Sequence, residues 1–512
     1  MEEHVRERTQ VKRVRGCRAL AGRAQQLLPH AVDILIDGKV IAAIVPASDG
    51  PPLDGDLDAR GRLVVPGTLN GHQHSHEHFQ KGRLENLPLE MWTHYLRSPK
   101  PVPWTARQVY LRTLVGAIEA LRSGCTTLVD DLSLGAHLPR DHLEAVFQAY
   151  EDIGIRALVG LAMFDKPVDS HFPWVEDECS AQALDMLRAI PVPDRAALLA
   201  LSGGLAQDRH PGRHRVGSVL SASAPHRCTD DFLRAIRALA DLHSMPVIIH
   251  VQETRLQVVC GGLFYGRTMV EHLHDIGFLA PSTSLIHAVW LNPREIDLLA
   301  RSGASAQHNP WSNLLLGSGV QPVRALLDAG VNVSLGSDGT ASSMTTNMHI
   351  VMGSAAALSK VRDACLERWV DAREVFTAAT IGGARALGYG DRLGTLEPGS
   401  LADLAGYRLD APSLLPLNDA VRQLVYAERG QGLDLMVVDG ELAMQRGQLA
   451  GIDEAAIAAE IGVEHAKLVP AFADNERLIE PIRASMERIY RRSLGEAIAP
   501  DTHAARIGLP RP

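Results

Sequence analysis

The sequence predicts an α/β chain: a (β/α)8 barrel over roughly residues 65–390, joined to a small sheet domain assembled from both chain ends. Two observations carry this reading. Through the middle of the chain, apolar β-like runs alternate with helix-length amphipathic segments, the pattern of parallel strands linked by helical crossovers. Candidate strands fall near 64–70, 126–130, 155–161, 216–222, 246–250, 284–287, 304–308 and 331–336, about the eight that such a barrel needs.

Residues 1–64 read as short strands with turns. Asp37-Gly38 stands between the β-rich runs Val32–Ile36 and Val40–Val45, a hairpin signal. Thr105 to Ser123 predicts a helix closed by Gly124 and followed by the strand Cys125–Asp130. Asp230 to Leu242 predicts the helix before the fifth strand. Pro293–Arg301 precedes Ala304–His308, and Val323–Ala329 precedes the eighth strand. The β-rich pattern returns in 391–450, where Asp439-Gly440 repeats the hairpin signal, so both ends contribute to one sheet domain. Residues 451–512 read as a helical extension, with helices at Glu454–Gly462 and Asn475–Leu494 that serve packing or assembly.

The bulk composition narrows the function. Of 512 residues, 46% are hydrophobic and 22% charged, as in a soluble globular protein, and the aromatic share of 4% leaves the core to Ala, Leu and Val. A net charge of −9 supplies no basic field for nucleic acid. No apolar stretch reaches membrane-spanning length, and the charged first residues lack a signal-peptide core. Six scattered cysteines form no Cys-x-x-Cys pair, which argues against a thiolate zinc site and against a disulfide framework. A cytoplasmic enzyme acting on a small molecule is the expectation.

Four strand ends deliver metal- or proton-binding groups. His72-Gln-His74 follows an apolar run, and residues two apart on a strand share a face, so both imidazoles can grip one ion. Val247–Ile249 leads to His250 and, three residues later, Glu253. Ser284–Ile286 leads to His287, and Val333–Leu335 leads to Asp338. His72, His74, His250 and Asp338 are the expected ligands of one divalent metal; Glu253, His287 and Asp338 are the expected acid–base residues. Three imidazoles with a carboxylate suit Zn²⁺ first, and leave Fe²⁺ open. Such a cation acidifies water into a nucleophile near neutral pH. A poor amine leaving group then needs an acid within hydrogen-bond reach, and Glu253 is the expected proton shuttle, taking the water's proton and handing it to the leaving nitrogen. His76 and His78 continue the alternation into a loop on the substrate side.

These residues resemble the amidohydrolase superfamily, and more narrowly its chlorohydrolase/aminohydrolase branch, over roughly residues 30–450. The matching motifs are Pro66-Gly-Thr-Leu-Asn-Gly-His72-Gln-His74, Ser123–Asp130, His250-Val-Gln-Glu253, His308-Asn309-Pro310-Trp-Ser312-Asn313, Leu335-Gly-Ser-Asp338-Gly339, Thr380–Gly388 and Leu393–Gly399 with Ala402-Asp403-Leu404. The resemblance implies a barrel with a β-sandwich and a single metal, because the fourth-strand segment Val216–Ala222 lacks the lysine used by binuclear members. It also implies a homo-oligomer, and places Ser223, His226, His308 and Asn309 at the substrate. One departure stands out: where many relatives carry a substrate-touching histidine, this chain has Ser223, with His226 three residues on.

The expected reaction is hydrolytic deamination of an amino-substituted purine, pyrimidine, pterin or triazine. Hydrolysis of an amide, urea or cyclic amide, or dechlorination, would employ the same water and acid. A non-catalytic scaffold is disfavoured, because none of the six central residues is missing.

Overall fold

The computed structural model describes residues 8–506. Parallel strands run in chain order through Thr68–Gln73, Cys125–Leu132, Arg156–Met163, Leu220–Ala222, Val247–Val251, Thr283–His287, Ser305–His308 and Val333–Leu335. A short run, Val216–Ser218, precedes the fourth and pairs with the third. The eighth strand is tied back to the first by Asp338 N donating to His72 O (2.9 Å) and Ser337 N donating to the Asn70 side chain (2.9 Å). The result is the expected barrel, with its strand ends gathered at one mouth.

The first strand differs from the sequence reading of 64–70. Arg62–Pro66 lies in the second sheet, paired antiparallel with Leu404–Arg408, and the barrel strand starts at Thr68. Between them Gly67 crosses so close to Thr126 that an added Cβ would lie 2.2 Å from its side chain. Pro66 has no N–H to extend a ladder, and only glycine tolerates the approach that follows. The shift carries His72 inside the strand and leaves His74 one residue beyond its end.

The second sheet has ten strands. Its main path joins Arg13–Ala21, Val32–Asp37, Val40–Pro46 and Arg62–Pro66 from one end to Leu404–Arg408, Leu433–Val438, Glu441–Gln445 and Gln448–Leu449 from the other. It has its own apolar core, including Val14, Ile34, Ile41, Val64, Leu404 and Val437. Arg156, at the start of the third barrel strand, pins the two sheets together. Its Nη2 lies 2.9 Å from Asp403 and 2.7 Å from Asp439, all three side chains being buried. Replacing Arg156 by Met leaves buried Asp403 without a cation, Asp439 keeping Lys39 (2.8 Å), and is expected to cost about 3–5 kcal/mol, read as a lower urea midpoint. An unchanged midpoint would show that the pair contributes nothing.

The extension folds as two long helices: Glu454–Leu478, longer than predicted and continuous through Pro470, and Glu480–Gly495, shorter than the predicted Asn475–Leu494. Leu468, Phe472, Ile482, Met486 and Ile489 join the main core, and Arg107–Glu460 and Arg83–Glu476 ion pairs hold the first helix to the barrel flank. No helix among the described residues is long and apolar enough to cross a membrane.

Candidate active site

The strand ends meet. Ligand atoms of His72, His74, His250 and Asp131 lie within 4.8 Å of one another, and so do those of His72, His287 and Asp338. His72 belongs to both groups. Asp338 Oδ1 sits 3.5 Å from His72 Nε2 and 3.4 Å from His74 Nε2. Four residues named from sequence as ligands, drawn from the first, fifth and eighth strands, therefore face one point.

Backbone carbonyls set two of the rings. His74 Nδ1 donates to Asp131 O (2.7 Å), and His250 Nδ1 donates to Ser223 O (2.8 Å). A carbonyl oxygen only accepts, so Nδ1 carries the proton in each ring and Nε2 turns a lone pair inward. His72 is fully buried, and neither of its ring nitrogens has a hydrogen-bond partner. A buried polar ring left unpaired is costly unless something else satisfies it.

The charges point the same way. Burial opposes protonation of His74, yet Glu77, Asp338 and Asp131 together outweigh it and raise the ring to about 9. Burial, then neighbouring imidazoles, hold His250 well below its ordinary value. Burial pushes Asp338 up, but the adjacent His72 ring and the charges of His287 and His74 win, leaving it well below the carboxylate range. The donor set is a group of imidazoles whose Nε2 atoms face inward among carboxylates, and the proton those carboxylates hold on His74 is the one a cation would displace. The set fits a divalent cation held by His72, His74, His250 and Asp338.

The acid–base partners lie beside it. Glu253 is held well above the usual carboxylate range, first by burial and then by Asp338 and Glu90. Its Oε2 lies 3.5 Å from His287 Nε2, and Ser318 Oγ donates to its Oε1 (3.3 Å). His287 Nδ1 donates to Asn313 Oδ1 (2.9 Å), leaving Nε2 an acceptor facing Glu253 and, at 3.9 Å, Asp338. Ser312 donates to Asp338 Oδ2. Two carboxyl groups that both face His287 Nε2 are thus driven in opposite directions, which separates an acid from a base. His287 (φ 69°), Asp338 (φ 67°) and Gln252 (φ 48°) all take left-handed backbone conformations at these strand ends. Such strain persists where the surroundings over-determine the geometry.

The residues expected at the substrate scatter. Ser223 lies behind His250, its hydroxyl accepting from Arg227 Nη1 (3.3 Å). His226 is buried beside His171, in a small void shared with Glu90 and Thr254. Asn309 is fully buried under His287, its amide 3.3 Å from that ring. His308 lies apart: it lines cavities with Val323 and Ala355 outside the barrel wall, because strand alternation gives the inward position to Gln307. The structure thus moves His308 away from the cluster. His76 receives Ser133 N at Nδ1 (3.3 Å) and borders a cavity of about 290 Å³ that also reaches Arg97, Trp104, Phe164 and Asn475. His78 instead bonds Arg112 O (2.9 Å).

Sequence reasoning missed Asp131, Ser312, Asn313 and Glu77. The doubled Asp130-Asp131 at a strand end was the available signal for the first. Asp130 accepts from Ser75 N (2.8 Å) and Tyr150 (2.9 Å), and it is Asp131 that reaches the cluster.

Comparison with known proteins decides the family. The amidohydrolase family profile matches residues 63–443. The chain belongs to the amidohydrolase family. This amidohydrolase is 34% identical over 413 residues to the 5-methylthioadenosine/S-adenosylhomocysteine deaminase of Thermococcus kodakarensis, covering 80% of this chain and 89% of that protein. It is 33% identical over 423 residues to the 5′-deoxyadenosine deaminase of Methanothermobacter thermautotrophicus, covering 82% and 91%. Among solved structures, an adenosine deaminase from Xanthomonas campestris with bound zinc superposes with a TM-score of 0.77 at 26% identity, covering 89% of this chain and 99% of that one. The zinc complex of an atrazine chlorohydrolase from Arthrobacter aurescens gives 0.79 at 25%, covering 88% and 99%. The amidohydrolase is accordingly a hydrolase of carbon–nitrogen bonds other than peptide bonds.

Stripped of metal, this amidohydrolase should lose stability as pH rises from about 5 to about 9. Burial raises Glu77 to about 8 and surrounding carboxylates raise His74 to about 9, so the folded chain keeps protons that the unfolded chain has already released. Their contribution is present below the unfolded values and lost as pH climbs through the folded ones. Calorimetric Tm values of the metal-free protein should fall across that window, and Glu77→Gln should flatten the fall. A pH-independent Tm in the unsubstituted protein would contradict this.

Proposed function

We propose that this amidohydrolase deaminates an amino-substituted nitrogen heterocycle, of the adenosine type acted on by its named relatives. The observation that carries the proposal is Glu253, a carboxyl kept protonated by burial, 3.5 Å from His287 beside the His72–His74–His250–Asp338 cluster. The cation proposed for those four residues is zinc, named in the related structures, and when bound it supplies Lewis acidity that acidifies water and polarises the electrophile.

The residues of the chain do the rest. Asp338, ionised and fixed by Ser312 and by Gly339 N (2.7 Å), orients water and takes its proton. A carbon–oxygen bond forms at the amino-bearing carbon. Glu253 hands a proton to the amino nitrogen, the carbon–nitrogen bond breaks, ammonia leaves, and the proton that Asp338 took from water passes back to Glu253, restoring both groups. His287, neutral and held by Asn313, accepts a hydrogen bond at Nε2; once protonated it becomes a donor to the charge that develops. Ser223 and Asn309 position His250 and His287. The cavity beside His76 is the proposed seat of the substrate. The proposal also takes the barrel and two-ended sheet domain as one functional enzyme, working in the cytoplasm as a homo-oligomer on a diffusible substrate.

Incubating zinc-loaded protein with purine nucleosides, pyrimidines, pterins and triazines should release ammonia from at least one. Cleavage of amides, ureas or carbon–chlorine bonds without ammonia from any of these would reject deamination, and product masses separate the cases.

A further inference from the structure

Glu253 sits in a closed ring of contacts. Its neighbour Gln252 accepts from Val289 N and Trp290 N (3.1 Å each) and donates its amide to Trp290 O. The Trp290 indole donates to Ser318 O (2.9 Å), and the Ser318 hydroxyl donates to Glu253 Oε1 (3.3 Å). Three residues on, the Gln321 amide donates to His287 O (2.7 Å) and Gln307 O (3.1 Å). The irregular loop 317–321 thus touches both the proton donor and the strand end that carries His287.

A distant part of the chain closes this ring from outside. Beyond the second C-terminal helix, Ala505 O accepts from Val320 N (2.9 Å) and His503 N donates to Leu291 O (2.9 Å). Ala505 is buried among Val258, Val289, Trp290 and Ile498. The approach is close enough to fix a residue type: a Cβ on Gly319 would lie 2.8 Å from Ala505 O, and Gly319 takes φ 127°. The segment 503–505 therefore bridges the stretches that follow the sixth and seventh strands.

We infer that 503–505 is a positioning segment for the reaction, resting on the role given to Glu253 in deamination. By seating Val320 and Trp290, it holds the Ser318 hydroxyl on Glu253 and the Gln321 amide on His287 O. Releasing it takes the acceptor from Val320 N–H and opens the Val289–Trp290 face to water. Arg362 Nη1 donating to Val320 O (2.6 Å) and Ser318 N donating to Asn313 O (2.8 Å) keep the loop attached, so it shifts and does not unfold. A displacement of about 1 Å beside a reacting centre costs roughly a hundred-fold in rate.

Ala505→Asp places a carboxylate in that apolar seat and should expel the segment. In the zinc-loaded full-length protein, hydrogen exchange should quicken in peptides covering 287–292 and 316–323 and stay unchanged in the barrel strands. Zinc content should not move. Ammonia release from the best substrate of the panel should show kcat down about ten- to hundred-fold, with KM within about two-fold. Ala505→Ser, which keeps the size and the carbonyl, should return both readings to normal. In a Ser318→Ala background, Ala505→Asp should lose most of its effect on kcat, because one path carries both. Fully additive losses, faster exchange with unchanged kcat, or unchanged exchange would each overturn the inference. So would zinc loss with faster exchange throughout, the mark of a merely structural segment. Ala505→Leu overfills the seat without burying a charge, and gives the same readings should the aspartate prevent folding. No ammonia from the unsubstituted enzyme would reject deamination, and the exchange rates would still decide whether the segment holds the loop.

Discussion

Glu253→Gln is expected to keep its metal and lose turnover by about 10²–10⁴-fold, the usual worth of a positioned acid–base group. The substitution preserves size, and the amide oxygen still accepts from Ser318. It removes only the ability to give the leaving nitrogen a proton. Glu253 is absent from both ligand groups of the cluster, so metal content should not move. The effect should fall on kcat more than on substrate binding, because the proton is needed only in the transition state. Metal by atomic emission and ammonia release on the same preparation decide it. Near-normal turnover would show that another group supplies the proton, and loss of metal together with activity would show Glu253 to be structural.

His72→Ala should instead lose the metal, and with it both activity and the stabilisation that binding confers. His72 is fully buried, has no hydrogen-bond partner, and is the one residue common to the two ligand groups around Asp338 and His250. Nothing else in the fold depends on its polarity. Zinc present at a thousand times its dissociation constant stabilises a folded protein by about 4 kcal/mol. Unsubstituted protein should therefore show a Tm that climbs with added zinc, while the variant's Tm stays level. A variant that retains stoichiometric metal would remove His72 from the ligand set.

Much of this site was legible because a barrel turns sequence into position. An apolar run ending in His, Glu or Asp marks a strand end, and parallel strands bring their ends to one mouth, so His72, His74, His250, Glu253, His287 and Asp338 could be grouped across hundreds of residues. The start of the first strand was misread because Pro66-Gly67 looks like strand punctuation, and its meaning depends on Thr126 from another strand. Asp131, Ser312 and Asn313 act through neighbours they acquire only on closure of the barrel. His308 failed for a simpler reason: period-two alternation makes Gln307 the inward residue, and the motif alone does not say which face is inner. The two long C-terminal helices were visible as helices, while the burial of Phe472 and Met486 against the barrel was not.

The account stands on four side chains sharing one cation. Diffraction from crystals of the zinc-loaded protein, collected on both sides of the zinc absorption edge, should give one strong anomalous peak per chain, within coordinating distance of His72, His74, His250 and Asp338. A peak seated among His74, His76 and Glu77 instead, or none in protein that releases ammonia at full rate, would contradict it.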